Sequence, residues 1–370
     1  MTPAATLPPS TPADADALWM RRAIELSERG WGRVHPNPLV GAVVVQRGEL
    51  VGEGWHAECG AEHAEAVALQ GAGERARGAT LYVSLEPCNH LGKQPPCVDA
   101  IIAAGITRVV VAVRDPNPIA AGGIERLAAA GIRVDCDIES ADAAFGNFRF
   151  LHAHSHPERP FVAVKLAVSL DGCLADSSGD SRWLSGPEAR RWVHRLRAGF
   201  GGIAVGAQTA IADDARLTVR GEIEPRVAPV RIIFDRRGRL KPTHGILHDG
   251  SGIPVLVVLG SDVPADRRQA LADAGAQIVV ADQLGDALDA IRAAGVDAIL
   301  VEGGGRLAGA LLAGDLVDRI YQIQSPVWLG DGVRAWEGLG RPAIAEAPRW
   351  RLNSSQLLSD SGDVLLVLER

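Results

Sequence analysis

One histidine and two cysteines occur with a spacing that suits a zinc ion. His63 is followed two positions later by Glu65, and Cys88 and Cys97 lie further along the chain. One imidazole and two thiolates can fill three positions of a tetrahedral zinc site, which leaves the fourth for a water whose pKa the metal lowers toward ~7. Glu65 is not needed as a ligand, so it can move a proton between that water and a leaving amine. The pattern predicts hydrolytic deamination.

The same residues have a purely structural interpretation, and the pattern has one departure. Zinc nucleobase deaminases usually have two residues between the cysteines, whereas eight residues separate Cys88 from Cys97. In the structural interpretation, a His-Ala-Glu tripeptide begins a helix and the two cysteines are unrelated core residues. The metal is favoured because His63 lies at the start of a predicted helix and Cys88 follows a predicted strand.

A glycine-rich turn stands out in the second half of the chain. Gly303, Gly304 and Gly305 follow a predicted strand and precede a predicted helix. Such a turn brings backbone amides close to a phosphate. It is not the G-x-G-x-x-G fingerprint, and no acidic residue follows at the spacing of a Rossmann domain. From these residues alone, cofactor binding and a tight packing turn are equal alternatives.

Two adjacent arginines suggest which cofactor would bind. Arg236 and Arg237 directly follow the predicted strand segment RIIFD. Guanidinium groups bind phosphate through paired hydrogen bonds, so these residues are candidates for the 2′-phosphate of a cofactor that carries one. The alternative is that both arginines belong to a solvated turn.

The elements that must position the first set of residues alternate along the chain. Helices are predicted over residues 15–30, 61–70 and 98–104, and strands over 40–45, 79–85 and 108–113, with a second short strand after a turn near residue 48. Alternating strands and helices indicate an α/β/α layered domain.

The second half begins a new series of strands. Strands are predicted over residues 161–169, 202–206, 230–234, 254–259, 277–280 and 298–302, and helices over 187–198, 265–274, 284–293 and 306–314. This pattern predicts a mostly parallel, twisted sheet with helices on both faces. The last two strand candidates, 319–328 and 364–369, are expected to add antiparallel edges.

The length of 370 residues favours two domains rather than one. Residues 1–13 are interpreted as a disordered Pro/Ala tail, 14–151 as the first domain, 152–160 as a linker and 161–370 as the second domain. The linker carries His152, His154 and His156, and a solvated linker is favoured over a zinc site because the run has little apolar periodicity and ends in proline.

Composition excludes several classes of protein. A net charge of −7 argues against a protein whose affinity comes from nucleic-acid phosphates. The longest apolar runs, such as 109–113 and 255–259, stop far short of the ~20 residues of a membrane span. The N-terminal stretch lacks the features of a signal peptide, and five irregularly spaced cysteines do not suggest a disulfide framework. We therefore expect a cytoplasmic protein without nucleic-acid or membrane partners.

Several longer segments resemble one enzyme family. The segments HPNPLVGAVVV, GEGWHAECGAEHAEAVAL and LYVSLEPCNHLGKQPPCVDAI resemble the deaminase half of the bifunctional riboflavin-biosynthesis deaminase/reductases, in which the long cysteine loop is expected. The segments KLAVSLDG, DSRWLSGPEARRWVHRLRA, VGAQTAIADDARLTVR and LVEGGGRLAGALL resemble the reductase half. The resemblance covers nearly the whole chain from Asp14. It implies an α/β chain with a cytidine-deaminase-like N-terminal domain and a dihydrofolate-reductase-like C-terminal domain.

The resemblance also implies a reaction sequence and a set of site residues. The first domain would deaminate a diaminopyrimidinone ribosyl phosphate, and the second would reduce its ribosyl group to ribityl with NADPH.

The implied zinc ligands are His63, Cys88 and Cys97, with Glu65 as the general acid and base. Contacts to the deaminase substrate are implied for Asn37, His56 and Lys93. Contacts to the reductase substrate are implied for Lys165, Ser181, Arg197, Leu217, Arg220 and Glu302, with Arg197 and Arg220 as phosphate clamps. Contacts to NADPH are implied for Ala167, Trp183, Thr209, Asp213 and Gly303, Gly304 and Gly305, to which Arg236 and Arg237 are added from the residue argument above. A homo-oligomer is also expected.

Two other functions compete with this interpretation. A deaminase acting on tRNA or single strands would have a basic surface and, more usually, the short cysteine spacing. A zinc-stabilised ligand sensor would need neither Glu65 nor an open fourth zinc position. Ammonia release and NADPH consumption by the purified protein distinguish these functions from a two-step enzyme.

Overall fold

The structure is a computed structural model that describes residues 11–92, 94–340, 343–358 and 361–370. The chain divides into two compact units, Met1–Ser155 and His156–Arg370. No helix among the described residues is long and apolar enough to cross a bilayer.

The first unit contains six α-helices and five strands among its described residues. The helices are α1 (Pro12–Ser27), α2 (Ala64–Ala72), α3 (Cys97–Ala103), α4 (Gly123–Ala129), α5 (Ser140–Gly146) and α6 (Phe148–Ser155). The strands are β1 (Gly41–Gln46), β2 (Glu49–Trp55), β3 (Thr80–Leu85), β4 (Arg108–Val113) and β5 (Arg133–Cys136). They form one sheet in the order β2-β1-β3-β4-β5, in which β1 is antiparallel to both neighbours and β3, β4 and β5 are parallel.

Alternating side chains of β1 build cores on both faces of this sheet. Ala42 and Val44 pack with residues of α2, α3 and α4, whereas Val43 and Val45 pack with residues of α1 and α5. Successive residues of a strand point to opposite faces, so one buried strand can serve two helical layers. The predicted α/β/α layering is confirmed.

The second unit contains a larger sheet. Its helices are α7 (Pro187–Ala198), α8 (Ala207–Asp213), α9 (Gly245–His248), α10 (Ala265–Asp273), α11 (Leu284–Ala293) and α12 (Gly305–Ala313). Its strands are β6 (Phe161–Val168), β7 (Cys173–Ala175), β8 (Gly202–Gly206), β9 (Val230–Phe234), β10 (Val255–Leu259), β11 (Ala276–Val280), β12 (Ala298–Glu302), β13 (Arg319–Gln324), β14 (Val333–Arg334), β15 (Arg351–Leu358) and β16 (Asp363–Glu369). Nine strands pair in the order β11-β10-β9-β8-β12-β6-β13-β16-β15, and β7 pairs with β14 in a separate ribbon.

The predicted parallel sheet is confirmed, but its far edge differs from the prediction. Strand β13 pairs parallel to β6 and lies inside the sheet rather than at an antiparallel edge. Strand β16 is antiparallel to β13, and the edge is β15. The sequence of β15, RLNSSQLL, has no alternation of apolar and polar residues because nearly all of its side chains are exposed on both faces, so it was not predicted as a strand.

Two helices at the ends of the first unit also differ from the predictions. Helix α1 begins at Pro12 because the Thr11 side chain accepts a hydrogen bond from the Asp14 amide and proline occupies the first turn. The predicted tail therefore ends earlier, although residues 1–10 lie outside the described residues. Helix α6 continues to residue 155 and buries Phe148 and His152, four positions apart, on one face. The first residues of the predicted linker are therefore helical.

Candidate active sites

The three predicted metal ligands of the first unit lie together. His63 is the N-cap of α2, Cys97 is the first residue of α3, and Cys88 lies in the loop after β3. Their ligand atoms all lie within 4.8 Å of one another. His63 Nδ1 is 3.2 Å from Cys97 Sγ and 3.5 Å from Cys88 Sγ. This nitrogen and sulfur donor set fits a zinc ion. It is the one group of this kind among the described residues, so the histidines of residues 152–156 form no such cluster there.

The packing of α2 against β2 sets the position of His63. A Cβ on Gly54 would lie 2.5 Å from the Ala64 carbonyl oxygen, which no side chain tolerates without displacement. Glycine in β2 therefore allows the first turn of α2 to approach the sheet closely. That approach places both His63 and Glu65 at the edge where Cys88 emerges.

The chemistry of the two cysteines suits metal binding. The pKa of Cys88 is lowered to about 4, first because Cys97 donates a hydrogen bond to it and then because His63 stabilises its charge. The backbone amide of Cys97 also lies 3.4 Å from Cys88 Sγ. The pKa of Cys97 is raised because it donates to Cys88 and because it is buried. A lowered pKa favours the thiolate form of Cys88, which is the form that binds a metal.

Glu65 is a buried carboxyl group in the first turn of α2. Its side chain is 3% exposed. Burial raises its pKa to about 7, and the negative charge of Cys88 adds to this effect. A carboxyl group with a pKa near neutrality can both accept and return a proton. The predicted general acid and base therefore lies beside the predicted ligands with suitable acidity.

His56 and Asn37, the predicted substrate contacts, form a pair. His56 Nδ1 lies 2.9 Å from the Glu62 carbonyl oxygen, which can only accept, so Nδ1 carries the proton. Its Nε2 is then an acceptor for the Asn37 side-chain amide at 3.0 Å. Burial lowers the pKa of His56, and its ring meets that of His63 edge to face at 5.5 Å. The pair fixes the orientation of the Asn37 carboxamide near the ligands.

The loop between Cys88 and Cys97 adds one unpredicted residue. His90 Nδ1 is buried with no hydrogen-bond partner among the described residues. An unpartnered polar atom at this position is available to a substrate. Lys93, a predicted contact to the deaminase substrate in the same loop, lies outside the described residues.

Glu86 is a second residue that the sequence analysis did not single out. Its side chain is 5% exposed and accepts backbone N–H groups of Asp115 at 3.1 Å, Gly122 at 3.0 Å and Ile124 at 3.2 Å. These bonds tie the segment that carries Cys88 to the loop of residues 115–122 and to the first turn of α4. The sequence feature that could have identified Glu86 is its position immediately before Pro87-Cys88, at the end of β3.

A cavity of about 1340 Å³ lies in the second unit. Most of the predicted reductase residues line it. They are Lys165, Ala167, Ser181, Trp183, Arg197, Thr209, Asp213, Leu217, Arg236, Arg237, Glu302, Gly303, Gly304 and Gly305. Arg220 is the predicted residue that is not among them, and its backbone amide donates to Nδ1 of the lining residue His194 at 3.2 Å.

A buried cluster of charges lies where β6 and β12 pair. Glu302 and Lys165 are directly opposite in this pair. Arg197 of α7 binds Glu302 through two hydrogen bonds of 2.5 and 3.0 Å, and its third donor reaches the Thr218 carbonyl oxygen at 2.8 Å. Burial alone would raise the pKa of Glu302, but the charges of Arg197 and Lys165 hold it below its ordinary value. Burial lowers the pKa of Lys165.

The glycine-rich turn requires glycine at two positions. Gly303 has φ +137°, and a Cβ there would lie 3.0 Å from Thr209 Oγ1. A Cβ on Gly305, the first residue of α12, would lie 2.5 Å from the Arg334 carbonyl oxygen. The Gly304 amide donates to Thr209 Oγ1 at 3.2 Å. The turn is tightly packed, and it also forms the wall of the cavity at a helix N-terminus. A tight packing turn and a cofactor-binding turn are therefore compatible interpretations of these glycines.

Three arginines follow β9 at the rim of the cavity. Arg236 and Arg237 were predicted to contact the cofactor. Arg239 also lines the cavity but was not among the predicted residues. Arg236 and Arg237 are exposed. Hydrogen bonds from Ser261 and then the charge of Arg236 lower the pKa of Asp282, which lines the same rim. The turn therefore offers positive charge to an anionic part of a ligand.

Both halves of the chain match known families. Residues 13–113 match the family described as cytidine and deoxycytidylate deaminase zinc-binding region, and residues 160–363 match the RibD C-terminal domain. The riboflavin biosynthesis protein RibD of Escherichia coli is 40% identical over 356 residues, which cover 91% of this chain and 95% of the relative. The RibD protein of Haemophilus influenzae is 38% identical over 360 residues, which cover 93% of this chain and 95% of the relative.

Solved structures give the same result over nearly the full length. RibD of Acinetobacter baumannii has a TM-score of 0.81 and 40% identity, covering 96% of this chain and 99% of that one. A diaminohydroxyphosphoribosylaminopyrimidine deaminase/5-amino-6-(5-phosphoribosylamino)uracil reductase from Thermotoga maritima has a TM-score of 0.81 and 34% identity, with the same coverage. The order of the two halves is therefore shared with these structures.

Proposed function

Because this chain belongs to the RibD family of riboflavin biosynthesis proteins, we propose that it catalyses two successive reactions. It hydrolyses an amine from 2,5-diamino-6-ribosylamino-4(3H)-pyrimidinone 5′-phosphate and then reduces the ribosyl group to ribityl with NADPH. The observation that carries the first reaction is the approach of three ligand atoms within 4.8 Å beside the buried Glu65. The test is the purified protein with this substrate, which should release ammonia without NADPH and consume NADPH only after deamination. Failure to release ammonia would refute the first reaction, and failure to consume NADPH would refute the second.

In the deaminase site the chain holds the pyrimidine and moves one proton. Zinc, when bound by His63, Cys88 and Cys97, lowers the pKa of water enough to supply a nucleophile near neutral pH. Glu65 accepts the proton of that water and returns it to the leaving amine. Asn37 is oriented by His56 to hydrogen-bond the pyrimidine ring.

In the reductase site, positioning is the main task of the protein. NADPH supplies the hydride, and the chain must hold it in line with C1′ of the opened sugar. We assign Lys165, Ser181, Leu217 and Glu302 to the ribosyl phosphate. Arg197 is already bound by Glu302 and Thr218. Arg220 lies outside the cavity lining and its Nε donates to the Thr218 hydroxyl at 3.1 Å, but it has no ion pair among the described residues, so we keep its guanidinium as the phosphate clamp.

We place NADPH along the wall formed by Ala167, Trp183, Thr209, Asp213 and the glycine-rich turn, with its 2′-phosphate at Arg236 and Arg237. Replacing both arginines by alanine should raise the KM for NADPH at least ~10-fold, because each charge-assisted hydrogen bond contributes about 1.5–3 kcal/mol. The KM for NADH should change little. Steady-state kinetics with both cofactors provides the measurement. Equal effects on the two cofactors would place these arginines away from the 2′-phosphate.

We also propose that the two units, residues 14–151 and 161–370, are functionally independent, with the segment 152–160 between them. Support comes from the two compact units, whose boundary follows residue 155, and from the separate sets of site residues. A fragment ending at Ser155 should release ammonia, and a fragment beginning at His156 should consume NADPH when given the deaminated substrate. If neither soluble fragment is active, each unit depends on the other and the division is wrong.

We infer that the protein is a cytoplasmic homo-oligomer. Five free thiols, two of them among the metal ligands, suit a reducing compartment. The edge strand β15 exposes Leu352 and Leu357 together with unpaired backbone groups, which favours pairing with a second copy. Light scattering of the purified protein should report a dimer or larger assembly, and replacing both leucines by lysine should shift it toward monomer. A monomeric wild type would exclude this proposal.

A further inference from the structure

Asp363 is a buried carboxylate at the carboxyl ends of β6 and β13. It is the first residue of β16, which runs antiparallel to β13 and therefore begins at this edge, and it is 1% exposed. Its Oδ1 accepts the Ser325 hydroxyl at 2.7 Å, and its Oδ2 accepts the Ser361 hydroxyl at 2.9 Å and the Gly186 amide at 2.7 Å. The bond to Gly186 joins segments 177 residues apart.

Gly186 is where the loop at the cavity becomes helix α7. Residues 181–185 all line the cavity, and Gly186 is the N-cap of α7, which brings Arg197 to Glu302. Gly186 lies so close to Asp363 that a Cβ there would meet Ser361 Oγ at 2.6 Å and Asp363 Oδ2 at 3.0 Å. An N-cap amide has no partner within its own helix, so an outside acceptor determines where the helix begins.

We propose that Asp363 is a positioning residue for the reduction step, which sets the loop of Ser181 and Trp183 and the start of α7 through the Gly186 amide. Asp363 itself does not line the cavity. The proposal rests on the proposed reductase function. It predicts that loss of the acceptor weakens binding of the ribosyl phosphate, because two groups that determine this binding lie on the two sides of Gly186: Ser181, and Arg197, which holds Glu302.

The first test compares alanine and asparagine at position 363 in the full-length enzyme. Asp363→Ala removes the acceptor and should raise the KM for the ribosyl phosphate in the reductase assay at least ~10-fold. Asp363→Asn should stay within ~3-fold of wild type, because its amide nitrogen can donate to the Ser325 hydroxyl while its oxygen still accepts the Gly186 amide. Partial unfolding would instead lower the apparent kcat and leave KM unchanged. Ammonia release should be the same in every variant.

Two further variants separate the Gly186 contact from general effects of the substitution. Ser325→Ala removes the bond to Oδ1 only, so its reductase KM should match that of wild type. Gly186→Ala disturbs the same contact from the other side and should raise KM as Asp363→Ala does. The double variant Gly186→Ala/Asp363→Ala should be no worse than either single variant, since both break one interaction.

The possible outcomes are distinct. An unchanged KM in Asp363→Ala, or an equal loss in Asp363→Asn, would overturn the positioning role. Full additivity of Gly186→Ala and Asp363→Ala would also overturn it, because the two residues would then act separately. A wild-type enzyme that consumes no NADPH with the deaminated substrate would refute the proposed function itself, before any variant is compared.

Discussion

Replacing Glu65 by glutamine is expected to abolish deamination while the protein still binds about one zinc ion per chain. The substitution keeps the size of the side chain but removes the group that accepts the proton, and such groups contribute ~10²–10⁴-fold to rate. Glu65 is not among the three ligands, so metal content should be retained. Ammonia release and zinc analysis of the same sample provide the measurement.

A matched control is available one turn away. Glu62 is an exposed glutamate on the same segment, and its side chain bonds Gln70. Glu62→Gln leaves the backbone carbonyl that orients His56 in place, so it should deaminate normally. Reduction of the deaminated substrate should be unaffected in both variants. Normal ammonia release by Glu65→Gln would remove Glu65 from the assigned role, and loss of zinc would indicate that it is needed to hold the site together.

Replacing Glu302 by glutamine should both destabilise the second unit and impair reduction. The carboxylate offsets two positive charges, Arg197 and Lys165, and its own side chain is 11% exposed. Breaking a buried ion pair costs about 3–5 kcal/mol. For a unit of this size, that lowers the melting temperature by roughly 6–20 °C. Calorimetry of the full chain measures the shift, and kcat/KM of reduction should fall roughly 30-fold or more.

The same variant should change how stability depends on pH. Burial and the charge of Arg197 lower the pKa of Lys165, and Glu302 opposes them. Without Glu302 the pKa of Lys165 falls further below its unfolded value of 10.5. Between the pKa of Lys165 in the folded variant and its unfolded value, the unfolded state binds more protons than the folded state. The stability of the variant therefore rises with pH more steeply than that of wild type. Unfolding measured over the alkaline range up to pH 10.5 tests this slope.

A partly exposed glutamate in the same unit serves as the control for both measurements. Glu188 pairs with Arg191 on the surface of α7. Exposed pairs of this kind contribute about 0.2–1 kcal/mol. Glu188→Gln should therefore melt within a few degrees of wild type and keep its pH slope. If Glu302→Gln behaves as this control does, the buried cluster does not stabilise the second unit.

Local sequence patterns were enough to predict the layers of both units and the three candidate metal ligands that the structure brings together. Strands β4, β8, β9 and β12 have the predicted boundaries because continuous apolar runs end at turn residues. His63 and Glu65 were identifiable from the sequence because two residues at the start of one helix, here the N-cap and a residue of the first turn, hold fixed positions relative to each other. The partnership with Cys88 and Cys97 was inferred from residue chemistry, since thiolates and imidazole are zinc ligands.

Contacts between distant segments were decided only by the tertiary structure. The sequence of β13 does not show whether it pairs with β6 or lies at an edge, because an apolar strand can satisfy its backbone in either place. Arg197 was interpreted as a phosphate clamp, and the structure shows that its guanidinium binds Glu302, 105 positions away in the sequence. Asp363 carried no local signal at all. A periodic pattern records which face of a segment is buried, but the partner of a polar group depends on the order of strands in the sheet and on which loops meet at its edge.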